Sequence, residues 1–285
     1  KVIAVSKGVA EDLVRFGRLP AGKVGTIHNP VFEADLDVYS GADPSHPWFM
    51  PGNPPVVLAV GRLHSQKGFD VLLDAFAHVR SKMECRLVIL GEGEERGRLE
   101  AQAKALNLSS EVDLPGFCTN PFALMARAGC FVLSSRWEGF PNALVEAMAC
   151  GAPVVATNCP SGPLEIMGGL APLVPVDDAY ALSEAILTTL RNRPAGSGLR
   201  VRATEFSVAA ATAVIVAARL VSMSIACSFP LRMIVLAFTG SRISLFHESV
   251  GIEPVIGGEL VLALHQPGID IEELGILEPF GRNRR

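Results

Sequence analysis

The sequence has no Cys-x-x-Cys pair. Its six cysteines, Cys85, Cys118, Cys130, Cys150, Cys159 and Cys227, stand singly and mostly inside apolar runs, so they read as reduced core residues of a cytoplasmic protein. It also lacks a surplus of positive charge. With 25 Lys and Arg against 29 Asp and Glu, the formal charge is −4, which argues against nucleic acid as a partner held by general electrostatics. No uncharged apolar run reaches the roughly 18 residues of a membrane span. Even the most apolar stretch, 208–238, is broken by Arg219, Pro230 and Arg232, so a buried helix pair, or a tail whose reading frame or origin differs from the rest of the chain, is expected there rather than an anchor. No secretory signal is legible. The chain opens on Lys1 and the strand-like VIAVS, and it is expected to begin in the middle of a longer protein. Internal repeats are absent, and 285 residues suffice for one large or two modest domains.

What is present is a rhythm of strand, loop and helix. Residues 2–6 read as a strand, 8–17 as a helix and 23–27 as a short strand; a stretch rich in Pro, Gly, Asp and Ser follows from 32 to 54. From residue 55 the pattern runs VVLAV, helix 69–80, RLVIL, helix 94–106, VDL and helix 120–128. Such alternation implies the α/β class: a Rossmann-like parallel sheet with right-handed crossovers and helices on both faces.

The most informative stretch is 130–157. An apolar strand, CFVLSS, is followed by a tight loop, by a helix with Pro141 at its first position and Gly151 at its end, and by a second strand, PVVAT. That is a βαβ unit. Leu144, Ala147, Met148 and Gly151 share the face expected to pack on the sheet, leaving Asn142 and Glu146 together on another. Glu138 lies in the loop. A helix N-terminus beside the carboxyl ends of parallel strands favours anionic ligands, because free N–H groups and the helix dipole point there. Gly139 lets a ligand approach the backbone.

A second loop, GRLHSQKGFD at 61–70, carries Arg62 and Lys67 on either side of a turn, where a planar fork and a mobile point charge can converge on a diphosphate. His64 between them is left without a role. GEGEERG at 91–97 fails the dinucleotide fingerprint, since Arg96 stands where its third glycine belongs, so Gly91 and Gly93 read as a tight turn. Asp35-Leu36-Asp37 has the D-x-D form of a metal motif but lies in a linker rather than after a strand, and no metal is assigned to it. After PVVAT, Ser161 and Gly162 begin another helix with Glu165 inside it.

The string EGFPNALVEAMACGAPVVAT followed by NCPSGPLEI resembles the donor-binding half of retaining glycosyltransferases of family 4, which have the two-domain GT-B architecture. VSKGVAEDL, HNPV, VGRLHSQKGFDVLLDAF, RLVILGEGEERGRLE and VDLPGF match the same family in the same order. The resemblance covers about residues 1–206. It implies that 1–31 end an acceptor-binding N-terminal domain, that 32–54 are a linker, that 55–207 bind the donor and that 208–220 form a crossover helix; 221–285 match nothing in the family. By resemblance, Gly61, Arg62 and Lys67 hold the donor's phosphates and stabilise the departing diphosphate, and Gly116 and Phe117 meet the base. Glu138, with the backbone around Gly139, Phe140, Asn142 and Ala143, holds sugar and phosphates; Glu146 holds the ribose. Arg62, Lys67 and Glu138 are the catalytic residues in this reading. The implied donor is a UDP-linked hexose or N-acetylhexosamine, and the acceptor is a glycan or lipid-linked glycan met through the N-terminal domain. No cofactor or metal is implied, and the full-length protein is expected in the cytoplasm, peripheral to the inner face of a membrane. The competing expectation is a nucleotide-binding fragment or degenerate protein without catalysis.

Overall fold

Runs such as Val56–Val60 and Arg86–Leu90 are apolar on both faces, and parallel strands buried on both sides have that composition. In the computed structural model, which describes residues 2–33, 35–194, 196–216, 235–239 and 242–246, they form the centre of a six-stranded parallel sheet. Its strands are β3 (Val56–Val60), β4 (Arg86–Leu90), β5 (Val112–Gly116), β6 (Cys130–Leu133), β7 (Val154–Thr157) and β8 (Leu173–Val174), in the order β5-β4-β3-β6-β7-β8. Chain order therefore reverses between β3 and β6. In open α/β sheets such a reversal, at the carboxyl ends of the two strands, is the place of the ligand crevice.

The pleat sorts the apolar runs onto two faces. Val57, Ala59, Leu87, Ile89, Cys130 and Val132 pack with Leu72, Leu73 and Phe76 of α3 (Phe69–Lys82), Leu99 of α4 (Arg96–Ala105) and Ile186 and Leu190 of α8 (Ala179–Asn192). Val56, Leu58, Val88, Phe131 and Leu133 pack with Leu124 of α5 (Phe122–Met125), Leu144, Ala147 and Met148 of α6 (Asn142–Ala149), Ile166 of α7 (Pro163–Met167) and Leu199 of α9 (Ser197–Ala203). Burying each such Leu, Ile or Phe stabilises the fold by about 1.5–3 kcal/mol, so the two layers hold the strand ends still. Burial also pushes the Cys85 thiol up, to about 11, and the Cys130 thiol up as well; Cys227 lies outside the described residues.

The N-terminal stretch is a small βαβ unit: β1 (Val2–Ala4) pairs in parallel with β2 (Val24–Thr26), and α1 (Lys7–Arg15) crosses between them. The Ser6 hydroxyl caps α1 by accepting from the Val9 N–H at 3.2 Å. The stretch 32–54, expected as a linker, contains α2 (Leu36–Gly41) and a turn of 3-10 helix, Pro47–Phe49, with Leu36 and Phe49 buried against the sheet's helices. Asp35 stands at the start of α2 and Asp37 on it, ion-paired with Arg200. The chain returns beside this stretch: Val31 N–H donates to the Phe206 carbonyl at 2.9 Å and Val208 N–H to that of Phe32 at 3.0 Å.

Residues 1–215 form one compact unit and 216–285 a second. Of the crossover helix expected at 208–220, residues 208–216 are helical and the rest lie outside the described residues, as does most of 221–285. The expected helix pair over 208–238 is corrected at its end. Val235–Thr239 (β9) is a strand paired antiparallel with Arg242–Phe246 (β10). Two short apolar runs separated by Gly240-Ser241 carry a hairpin signal that overrides the apolar length of the stretch.

Candidate active site

The crevice is built from the loop after β3 and the loop after β6. The first makes a turn of 3-10 helix, Ser65–Lys67, whose start is capped by His64: its Nδ1 accepts from Gln66 N–H at 3.1 Å. Gly68 follows with φ +60°, and a Cβ there would stand 2.3 Å from the Ser134 carbonyl oxygen. Only glycine tolerates both that backbone and that approach. The two loops thereby lie against each other. Gly61 serves a different purpose: a Cβ there would be 3.1 Å from Lys67 Cε, so its absence lets the lysine stem lie along the backbone.

Lys67 and Glu138, seventy-one residues apart, meet in the crevice with Nζ to Oε1 at 2.6 Å. The same oxygen accepts from the Ser135 hydroxyl at 2.6 Å, and Ser135 is fully buried. The side chain of Glu138 is only 6% exposed and that of Lys67 19%. Among the described residues, Glu138 Oε2 makes no hydrogen bond, and an ammonium has three N–H donors. The pair can therefore present both a carboxylate oxygen and two N–H donors to a ligand. Arg62 stands apart, with its side chain 72% exposed and Nη2 3.2 Å from Glu94 Oε2; His64 Nε2 is 3.4 Å from the other oxygen of Glu94. The two cations thus sit on one loop but face different carboxylates.

The α6 end borders the same crevice. Pro141, expected at the first helical position, is instead the residue before it, with φ −76° and ψ 88°, and the helix starts at Asn142 with no side-chain cap. A ψ near 90° lies outside the helical region, so the proline's fixed φ sets the entry of the helix rather than its first turn. Leu144, Ala147 and Met148 are fully buried, as the spacing predicts. Asn142 is exposed, and its Oδ1 accepts from Asn29 Nδ2 at 3.1 Å. Ala143 is half-buried and packs on the core. Glu146 is half-buried and has no hydrogen bond from its carboxyl among the described residues; burial holds its pKa above the usual carboxylate value.

Other expected residues fall around this centre. Gly139 faces Val9 and Val5 of the N-terminal stretch. The Phe140 ring is buried, stacked on His28 with centroids 5.5 Å apart and edge-on to Phe206 at 5.5 Å. Gly116 ends β5, and its carbonyl accepts from Gly91 N–H at 2.8 Å. Phe117 beyond it is 81% exposed.

Several residues were not legible in advance. His28 Nε2 lies 2.6 Å from Glu165 Oε1, and Lys7 N–H donates to Glu165 Oε2 at 2.9 Å. Glu165 therefore ties the N-terminal stretch to α7. A cavity of about 480 Å³ opens beside it, lined by Lys7, Gly8, Asn158, Pro160, Ser161 and Gly162 among others; neither Lys67 nor Glu138 lines it. Ser135 and Arg136 stand between two recognisable motifs. The signal for Ser135 and Arg136 was polar side chains closing an apolar strand just before Glu138.

The chain is thus a doubly wound α/β protein, with a lysine–glutamate pair where its strand order reverses, the place where sheets of this class bind their ligands. The chain belongs to the family of glycosyl transferases group 1, whose model matches residues 45–206. It is 34% identical over 195 residues to the N-acetylgalactosamine-N,N'-diacetylbacillosaminyl-diphospho-undecaprenol 4-alpha-N-acetylgalactosaminyltransferase of Campylobacter jejuni, across 67% of this chain and 51% of that protein. To the lipopolysaccharide core biosynthesis glycosyltransferase LpsE of Rhizobium meliloti it is 34% identical over 169 residues, 57% of this chain and 48% of that one. The crystal structure of HepE from Anabaena in complex with UDP matches 78% of this chain and 63% of its own, at 26% identity and a TM-score of 0.66. The six-stranded parallel sheet and its flanking helices thus have the α/β architecture of GT-B glycosyltransferases. The chain spans about half the length of the curated relatives it matches.

Proposed function

We propose that this chain is the donor-binding part of a retaining family 4 glycosyltransferase that takes a UDP-linked hexose or N-acetylhexosamine and passes the sugar to a glycan or lipid-linked acceptor. The observation that carries the reading is the Lys67–Glu138 pair at 2.6 Å, held at the strand-order reversal with one carboxylate oxygen left to accept a hydroxyl. In this reading Lys67 and the N-terminus of α6 meet the diphosphate, and Arg62 exchanges Glu94 for it. Glu138 Oε2 accepts from a sugar hydroxyl, and Glu146 accepts from the ribose. Gly116 and Phe117 border the base. Chemistry then rests on orientation and on neutralising the leaving diphosphate. UDP stands in the crystal structure of HepE, and the C. jejuni relative is named for a diphospho-undecaprenol-linked substrate; both favour the donor and acceptor classes proposed. Because the chain spans half of such relatives, donor binding is assigned to this portion and transfer to the whole enzyme. Calorimetric titration of the chain with UDP, ADP, GDP and their hexose and N-acetylhexosamine conjugates tests this. The uridine series should bind tightest, and no binding by any of them would refute the reading.

A further inference from the structure

Resting on that donor-site reading, we propose that Arg136 is a positioning residue that sets the spacing between Lys67 and Glu138. Arg136 lies two residues before Glu138, and it grips the other loop on both sides of Lys67. Its backbone N–H donates to the Gln66 carbonyl at 2.7 Å. Its guanidinium Nη1 donates to the Ser65 carbonyl at 2.7 Å and to Asp70 Oδ1 at 3.0 Å, Nη2 donates to Asp70 Oδ2 at 3.0 Å, and Nε donates to Asp177 Oδ1 at 2.7 Å. Neighbours complete the seam: the Ser134 hydroxyl donates to the Lys67 carbonyl at 2.7 Å, and Gln66 Nε2 donates to the Trp137 carbonyl at 2.8 Å.

The chemistry of the fork explains why an arginine stands here. A planar guanidinium presents its donors in fixed directions, so the bidentate pair with Asp70 fixes orientation as well as distance. Asp70 is the second residue of α3, and α3 is anchored in the core by Leu72, Leu73 and Phe76. The seam therefore references the loop carrying Glu138 to a rigid helix and to the two carbonyls just before Lys67. Lysine at 136 would keep the charge but could not satisfy Ser65, both oxygens of Asp70 and Asp177 together. The ammonium of Lys67 and the carboxylate of Glu138 would then be free to drift relative to each other, and geometry of that kind decides how well a site holds its ligand.

The test is UDP calorimetry on the full chain, with thermal midpoints recorded alongside. Arg136→Lys and Asp70→Asn should each weaken UDP about tenfold, since the charge-assisted contacts of Lys67 are misaligned rather than removed. Arg136→Lys made in a Lys67→Ala background should cost less than about twofold, because the group it positions is gone. Equal losses in the two backgrounds would overturn the proposal, as would a lowered midpoint with unchanged affinity. Should Arg136→Lys fail to fold, Asp70→Asn takes its place in the same comparison. If Lys67→Ala alone binds UDP as the parent does, the donor-site reading has failed in a single variant, and the proposal falls with it.

Discussion

Glu146 is half-buried with no hydrogen-bond partner among the described residues, and burial alone raises its pKa from the ordinary 4.5. A carboxyl raised in this way favours folding while it is protonated. That contribution is complete below the ordinary value and is lost as pH rises through the folded value, so near neutrality an ionised Glu146 works against the fold. Glu146→Gln removes the charge at constant shape. A buried unsatisfied polar group costs about 1–3 kcal/mol, and partial exposure places Glu146 near the low end, about 1 kcal/mol. For a domain of this size that corresponds to a thermal midpoint about 2–4 °C higher. The gain should shrink toward zero at pH 4, where the glutamate is itself protonated. Binding should move the other way. If the carboxylate accepts from the ribose hydroxyls, losing its charge weakens UDP by about tenfold or more. Differential scanning calorimetry at pH 7 and pH 4, with UDP and pyrophosphate titrations at pH 7, separates the two effects, since pyrophosphate lacks the ribose and should bind both proteins alike. A lower midpoint for Glu146→Gln at pH 7 would refute the argument from burial, and unchanged UDP affinity would refute the ribose assignment.

Other outcomes follow from the same geometry. Lys67→Ala removes one partner of a largely buried ion pair and should destabilise the chain by about 3–5 kcal/mol as well as weaken UDP; denaturant titration of Lys67→Ala and of Lys67→Ala/Glu138→Gln checks this, the double variant being the more stable. Glu138→Gln should weaken a UDP-sugar more than UDP, as read by paired titrations, and equal losses would detach Glu138 from the sugar. Gly68→Ala meets both a φ of +60° and the Ser134 carbonyl at 2.3 Å, so it should melt well below the parent, whereas Gly97→Ala, with open space around it, should not. At Asp70 burial pushes the carboxyl up, but the hydrogen bond and charge of Arg136 outweigh it and the value falls below 3.8. Its stabilising contribution is present above the ordinary value and disappears as pH falls through the folded one, so Asp70→Asn should narrow the stability difference between pH 5 and pH 2.5 in urea titrations.

Local order was written in the sequence. The short apolar runs VVLAV and RLVIL, bounded by turn residues, mark buried strands, and the 3.6-residue period of NALVEAMA marks a helix, because run length and spacing are properties of the chain itself. The loops carrying Arg62, Lys67 and Glu138 were legible too, since turn residues and charged side chains stand out between apolar runs, and Glu146 was legible as the charged residue of the helix that follows. Which face of each strand meets which helices was not legible, because runs apolar at every position carry no alternation; only the packed sheet sorts Val57 from Leu58. The partners of the site residues were equally hidden. Lys67 meets Glu138, Arg136 meets Asp70 and His28 meets Glu165 across 71, 66 and 137 residues respectively. Arg62 turning to Glu94 rather than toward Lys67, and Phe140 turning inward to His28 and Phe206, are choices of the same kind. They are settled by strand order. Laying β6 beside β3 brings their two loops into contact, and the burial of the sheet's two faces, not any property of the loops, is what selects that order.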